Sequence, residues 1–369
     1  MQTVGVHKML CSGPGDLTQV QALIDAGQLN PSHIVAVMGK TEGNGCVNDF
    51  TREYATQAWC TMLAPYLDAP PSEVERRIAF VMSGGTEGVL SPHFTVFTRT
   101  RLDTSPVNNT ARLFKSSGKR LAIGVAFTRR FLPEEIGSLV QVEETRRAVL
   151  EAMEDAGIMR AEDVHFVQIK CPLLTSSRIA AAAARGKKTL VQDTYESMAI
   201  SRGASALGVG IALGEVDGEK LSQVSICHDA SLYSSVASTS AGIELEYNVL
   251  ILMGMSEMAD SGFAVTHGVM KDAIDGASVQ ACLNTLREMH RDAQVVNVFA
   301  KAEAAANGKI RGNRHTMLND SDIHSTRHAR AAVGAVLASI TGDTAMYVSG
   351  GAEHQGPSGG GPFSIVVRT

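Results

Sequence analysis

Three apolar runs of the chain end in lysine: Ile34-Val-Ala-Val-Met-Gly-Lys40, Val164-His-Phe-Val-Gln-Ile-Lys170 and Val295-Val-Asn-Val-Phe-Ala-Lys301. Each is followed downstream by a serine in the pattern Ser-[Gly/Ala]-Gly-x-Glu: Ser83-Gly84-Gly85-Thr86-Glu87, Ser240-Ala241-Gly242-Ile243-Glu244 and Ser349-Gly350-Gly351-Ala352-Glu353. Between lysine and serine lies a hydroxyl-arginine pair, Thr51-Arg52, Ser201-Arg202 or Thr326-Arg327. A lysine at a strand end puts its ammonium where the sheet opens. A serine-glycine turn brings a hydroxyl and bare backbone N–H groups to a neighbouring strand end, because glycine allows close approach to a ligand. If three such units converge, their lysines, serines and arginines line one cationic cavity. Crowded like charges disfavour the protonated amine, so a lysine there serves as general base towards serine. Serine–lysine chemistry is a variant of the triad logic, with backbone N–H groups stabilising the oxyanion. The matching substrate is small, anionic or acidic, and rich in carbonyls. The rival reading is structural: each lysine pairs with a following glutamate, such as Glu87 or Glu303, and ties the units together.

The elements that must position these groups recur in one order: strand, lysine, hydroxyl-arginine, helix, strand, serine-glycine. With lysines at the near-equal intervals of positions 40, 170 and 301, this implies a triplicated α+β unit of about 120 residues. The expected fold is three similar units around a pseudo-threefold axis with the site at the centre. Unit A takes residues 1–104, a linker 105–118, unit B 119–255 and unit C 256–369. The linker lies in a Ser-, Pro-, Asn- and Gly-bearing stretch. The second break is expected near Ser256–Gly262. Proline and early acids predict helix starts at Pro71–Arg77 and Pro133–Gly137. Short apolar strands such as Ile34–Met38 and Val295–Phe299 fit a covered sheet.

Composition narrows the function. Of 369 residues, 44% are hydrophobic, which excludes a dominantly disordered chain. Lys plus Arg number 33 against 38 Asp plus Glu, so no global positive field exists to hold nucleic acid. The six cysteines form no Cys-x-x-Cys pair and read as buried thiols in a reducing compartment. The longest apolar stretch, Val249–Met255, is far short of a membrane span. A soluble, cytoplasmic protein with no membrane partner is expected. A metal hydrolase would use His315, His324 and His328 with Asp320 and Asp322. His324 and His328 have helical ligand spacing, yet no His-Glu-x-x-His accompanies them, and surface or capping roles fit better. The glycine-rich Gly351–Gly360 lacks any phosphate-loop pattern. Ser116-Ser-Gly-Lys119 is a lone Ser-x-x-Lys in the linker region.

Several long motifs nevertheless resemble one family. The segments Val37-Met-Gly-Lys-Thr-Glu-Gly-Asn-Gly-Cys-Val-Asn-Asp49, Met82-Ser-Gly-Gly-Thr-Glu-Gly-Val89, Val167-Gln-Ile-Lys-Cys-Pro-Leu-Leu174, Asp193-Thr-Tyr-Glu-Ser197, Ser201-Arg-Gly-Ala-Ser-Ala-Leu207, Arg314-His-Thr-Met-Leu318 and Val348-Ser-Gly-Gly-Ala-Glu-His-Gln-Gly-Pro357 are similar to the cyanuric acid hydrolase and barbiturase family. The cyanuric acid hydrolase branch is the nearer. The resemblance implies hydrolytic opening of the s-triazine ring of cyanuric acid to carboxybiuret, which loses carbon dioxide to leave biuret. It implies Lys170 as base and Ser240 as nucleophile, with Lys40 and Lys301 in supporting dyads. Arg52, Arg202 and Arg327 would bind ring carbonyl oxygens beside Ser83-Gly84, Ser240-Ala241 and Ser349-Gly350. It further implies a structural Mg²⁺ or Ca²⁺ on Glu303 with Ala352, Gln355, Gly356, Pro357 and Gly360, mostly through backbone oxygens. No organic cofactor is implied; the partner is a small cyclic imide, and the assembly a homotetramer. His324 stands where relatives often carry Asn, which bears on selectivity. Barbituric acid as substrate, or a binding protein that holds a symmetric anion without turning it over, are the alternatives.

Overall fold

The structure, a computed structural model, describes residues 1–101 and 118–369. In unit A the apolar runs form strands β1 (Gln2–Leu10), β2 (Ile34–Thr41), β3 (Ala79–Gly84) and β4 (His93–Arg101), joined by helices α1 (Thr18–Asp25), α2 (Phe50–Leu67) and α3 (Pro71–Arg77). Unit B follows with β5 (Arg120–Phe127), α4 (Leu139–Ala156), β6 (Val164–Pro172), α5 (Ser176–Ala184), α6 (Thr194–Ala212), β7 (Ala237–Gly242) and β8 (Val249–Ser256). Unit C comprises β9 (Phe263–Met270), α7 (Gly276–Met289), β10 (Gln294–Ala302), the small ribbon β11 (Lys309–Ile310) and β12 (Asn313–Arg314), then α8 (Ser325–Thr341), β13 (Tyr347–Gly350) and β14 (Gly361–Arg368).

The repeat is visible in topology. The sheets run β1-β4-β2-β3, β5-β8-β6-β7 and β9-β14-β10-β13, the same order of first, fourth, second and third strand. In each, the lysine strand is antiparallel to the fourth strand and parallel to the serine strand. The parallel register sets Lys40 opposite Ser83, Lys170 opposite Ser240 and Lys301 opposite Ser349. A β-bulge lies a few residues before each lysine, between Ile34 and Ala36, Val164 and Phe166, and Val295 and Asn297. A bulge shifts the alternation of faces, and the same shift in every unit sends all three lysines to the corresponding side.

Each sheet buries one face under its own helices, as Phe94 and Met82 pack on Trp59 and Leu63 of α2. The other faces meet in one central core, where Val6, Met38 and Val81 of unit A join Ile123 and Phe166 of unit B and Phe299 and Tyr347 of unit C. Three amphipathic layers thus close on a common apolar centre, which none could bury alone. The N-terminus is tied across the units: the Gln2 N–H donates to Met258 O at 2.8 Å, between β8 and β9.

The run from Pro133 is a single 3₁₀ turn over Pro133–Glu135, and the helix begins later, at Leu139. The Glu135 carboxylate turns back to accept from the Leu132 N–H at 2.8 Å. Gly137 then takes a left-handed φ of +77°, and Ser138 caps α4. The linker drawn at 105–118 lies, apart from Gly118, outside the described residues. All six cysteines are free; Cys11, Cys60 and Cys171 are buried and the others half-buried. Among the described residues no helix is long and apolar enough to cross a membrane.

Candidate active site

The three lysines are among the most deeply buried side chains of the protein. The Lys40 amine lies 3.3 Å from Ser83 Oγ and 3.2 Å from Gly84 O. The Lys301 amine lies 3.1 Å from Ser349 Oγ, 3.1 Å from Gly350 O and 2.7 Å from Thr239 O of unit B. Lys170 differs: it donates to Met82 O of unit A at 2.9 Å and pairs with Glu244 at 3.2 Å, while the buried Ser240 hydroxyl makes no hydrogen bond. Burial pushes all three amines down. Lys40 falls well below the usual range, with Arg330 adding to the effect. Lys301 falls to about 7, with Arg202 adding, and Lys170 to about 8, where Glu244 resists the fall and Arg52 favours it.

The glutamates that close the serine motifs are answered across the units. Arg52 of unit A faces Glu244 of unit B at 3.6 Å. Arg202 of unit B grips Glu353 of unit C with two bonds, 2.7 and 2.6 Å. From unit C, Arg330 holds both oxygens of Glu87 of unit A, its Nε at 2.7 Å. Burial raises each of these carboxyls, but the facing cations prevail and keep Glu87, Glu244 and Glu353 ionised. Gly85 and Gly351 make this approach possible. Both have left-handed φ, +102° and +78°, and a Cβ there would sit 2.5 Å from the Arg330 guanidinium or 2.6 Å from that of Arg202. The structural rival is thus met in unit B alone, where Lys170 does pair with its motif glutamate.

In unit C it is Arg330, three residues after the expected Arg327, that makes the tighter pair with Glu87. Arg327, the expected third arginine, reaches Glu87 through one bond of 3.3 Å and its side chain is 41% exposed, against 5% for Arg330. Of the backbone groups expected around the serines, the Gly84 and Gly350 carbonyls accept from lysines, whereas Ala241 is buried opposite Cys171.

His324 caps α8 by accepting the Thr326 N–H at Nδ1, so its proton sits on Nε2, 2.6 Å from the Tyr195 hydroxyl of unit B. His328 pairs separately with Asp320 at 2.8 Å, and no cluster of three or more His, Cys, Asp or Glu suited to a metal exists among the described residues. His315, His324, His328, Asp320 and Asp322 therefore do not form the donor set of a metal hydrolase.

Of the residues implied for a cation, Ala352 is the one in hydrogen-bond contact with Glu303 among the described residues. The Glu303 carboxylate accepts the Ala352 N–H at 2.7 Å and the Ala304 N–H at 3.1 Å. Burial and the neighbouring Glu353 push the Glu303 carboxyl up. The Gln355 side chain is committed, accepting the Thr239 N–H at 2.6 Å and donating to Gly351 O. The Gly360 N–H closes a turn on Pro357 O at 2.9 Å, and Gly356 has a φ of +91°. Finally, a cavity of about 400 Å³ beside α2 and α3 is lined by both Lys170 and Glu244.

Comparison with known proteins gives one direction. Residues 5–368 match the family described as amidohydrolase ring-opening protein. The chain is 57% identical over 371 residues to a cyanuric acid amidohydrolase of Bradyrhizobium diazoefficiens, covering 99% of this chain and 98% of that one. It is 56% identical over 370 residues to a cyanuric acid amidohydrolase of Pseudomonas sp. strain ADP, covering both completely. A solved cyanuric acid hydrolase, described as an evolutionary innovation by structural concatenation, superposes with a TM-score of 0.93 at 56% identity over the whole of both chains.

Proposed function

The chain belongs to the ring-opening amidohydrolase family, and from that premise we propose that it hydrolyses cyanuric acid to carboxybiuret, which loses carbon dioxide to leave biuret, with Ser240 as nucleophile and Lys170 as base. As a member it is a hydrolase acting on cyclic amides. The observation that carries the proposal is the cyclic set of three lysine–serine pairs in matching register, each beside an arginine–glutamate pair that spans two units. A ring with three equivalent carbonyls fits such a frame.

In this reading a neutral Lys170 keeps two N–H groups for Met82 O and Glu244 and offers its lone pair to the Ser240 proton. The serine oxygen attacks a ring carbonyl, and cationic surroundings with backbone N–H groups stabilise the oxyanion. Collapse breaks the ring C–N bond, with the proton passing from Lys170 to the leaving nitrogen. Water, supplied from the cavity beside Lys170, then releases the acyl group from Ser240. In this reading Arg52, Arg202 and Arg330, each facing a glutamate of the next unit, would bind the ring oxygens, and Arg327 is the more exposed. Assay of purified protein on cyanuric and barbituric acid side by side tests the reading. Biuret from cyanuric acid is expected, and hydrolysis of neither substrate overturns it.

The base sets a pH dependence. Only unprotonated Lys170 accepts the serine proton, so kcat/KM rises with pH and levels off above about 8. Below that it falls towards tenfold per pH unit. A profile flat between about pH 6 and 9 is incompatible with Lys170 as the base.

A structural cation at the C-terminal loop is part of this reading: the buried Glu303 carboxylate lies near Glu353, whose charge Arg202 already holds, and a divalent ion would answer the charge of Glu303. When bound, such an ion would fix the loop on Glu303 and on backbone oxygens of Ala352, Gln355, Gly356, Pro357 and Gly360. Elemental analysis is expected to find one Mg²⁺ or Ca²⁺ per chain in the wild type and none in Glu303→Gln, which also melts lower. Equal metal content in both proteins refutes the site.

A further inference from the structure

Three near-equivalent serines face one centre, and something must make one of them different. Ser83 and Ser349 are tied to their own lysines at 3.3 and 3.1 Å, whereas the Ser240 hydroxyl is buried and makes no hydrogen bond. The layer beneath the serines departs from the repeat. Two residues before each serine stand Val81, Ser238 and Tyr347, and strand alternation puts each on the same face as its serine. Val81 offers no polar group, and Ser238 is turned aside, donating to Gln168 at 2.7 Å. Tyr347 is fully buried and crosses the centre, with its ring 6.0 Å from that of Phe299 and 5.7 Å from the Lys40 amine. Its hydroxyl also makes no hydrogen bond within the protein, although the hydroxyls of Ser83 and Ser240 are near enough to draw its acidity against the effect of burial.

Two buried hydroxyls at the centre of the molecule, neither with a hydrogen-bond partner, are uncommon, because an unmade hydrogen bond in the interior is costly. Building on the function proposed above, we propose that Tyr347 is a positioning residue that donates its hydroxyl to Ser240 Oγ from beneath and thereby selects Ser240 as the reacting serine. A phenol is a more acidic donor than an alcohol. Its hydrogen bond occupies one lone pair of the serine oxygen, directs the serine proton towards Lys170 and strengthens as the oxygen becomes anionic. Ser83 differs because its oxygen already accepts from the Lys40 amine at 3.3 Å, and Ser349 because it lies on the strand of Tyr347 itself.

Tyr347→Phe removes the hydroxyl and keeps the ring, so the central core stays filled. We expect kcat to drop roughly tenfold or more with KM changed less than about threefold. Met38→Leu, a volume-conserving change in the same layer, serves as the packing control and leaves kcat within about twofold. The second readout needs no substrate: a small sulfonyl fluoride, followed by peptide mass analysis, is expected to label mainly Ser240 in the wild type and all three serines comparably in Tyr347→Phe. Unchanged kcat, a matching rise in KM, or an unaltered labelling pattern in Tyr347→Phe overturns the proposal. If wild-type protein fails to turn over cyanuric acid, the function is refuted and the labelling pattern alone decides the role of Tyr347.

Discussion

Ser240→Ala loses ring opening by about 10³-fold or more while folding like the wild type. The second half follows from an unusual local fact: the Ser240 hydroxyl makes no hydrogen bond in the structure, so its removal costs at most the contact proposed for Tyr347. Lys170→Ala loses as much activity but disturbs more, because it empties a buried volume and leaves Glu244 with Arg52 as its one ion-pair partner among the described residues. Lys170→Met keeps the volume and is the better test of the base. Ser83→Ala and Ser349→Ala are expected to weaken substrate binding and spare most of kcat, since in this reading their hydroxyls contact the ring without attacking it. Steady-state kinetics with circular dichroism separates these cases. Full turnover by Ser240→Ala sinks the assignment of the middle unit, and loss confined to Ser83→Ala or Ser349→Ala moves the chemistry to another unit.

Arg330→Met destabilises the protein by about 3–5 kcal/mol, the usual cost of breaking a buried ion pair from one side. Glu87 is 11% exposed and accepts two bonds from Arg330, so its charge is left with only the single longer bond from Arg327. Arg327→Ala costs no more than about 1 kcal/mol, as expected for a partly exposed pair whose carboxylate is already held. Urea unfolding of the two variants measures the contrast. The same pair of variants tests the site: KM for the ring substrate rises strongly with Arg330→Met and little with Arg327→Ala. Equal effects on stability and KM contradict the assignment of Arg330 as the third arginine of the cycle.

How much was legible beforehand follows from how local each feature is. Lys40, Lys170 and Lys301 end apolar runs, and a strand end is a local property, so sequence order was enough to align them with their serines. The sheet order repeats because the same order of strand and helix patterns repeats. Arg330 was not legible from hydroxyl-arginine spacing, because its partner Glu87 lies in another unit and α8 enters at a different point relative to its lysine than α2 does. Tyr347 was hidden for the same reason, since its importance lies in reaching across the centre to serines of two other strands. The helix expected at Pro133 failed through a side-chain effect: the Glu135 carboxylate and Gly137 close a turn before any helix can propagate.

The arginine–glutamate pairs pass in a circle, from unit A to B, B to C and C back to A. In such a circle the fitness of a change in one repeat is decided in the next. A substitution in α2 of unit A selects for a compensating change in the serine turn of unit B, not in the copy of that turn that unit A itself carries. The three repeats can then diverge in sequence, as Val81, Ser238 and Tyr347 have done, while remaining bound to a shared inheritance. One repeat by itself leaves its arginine and its glutamate each without the partner that the next repeat supplies.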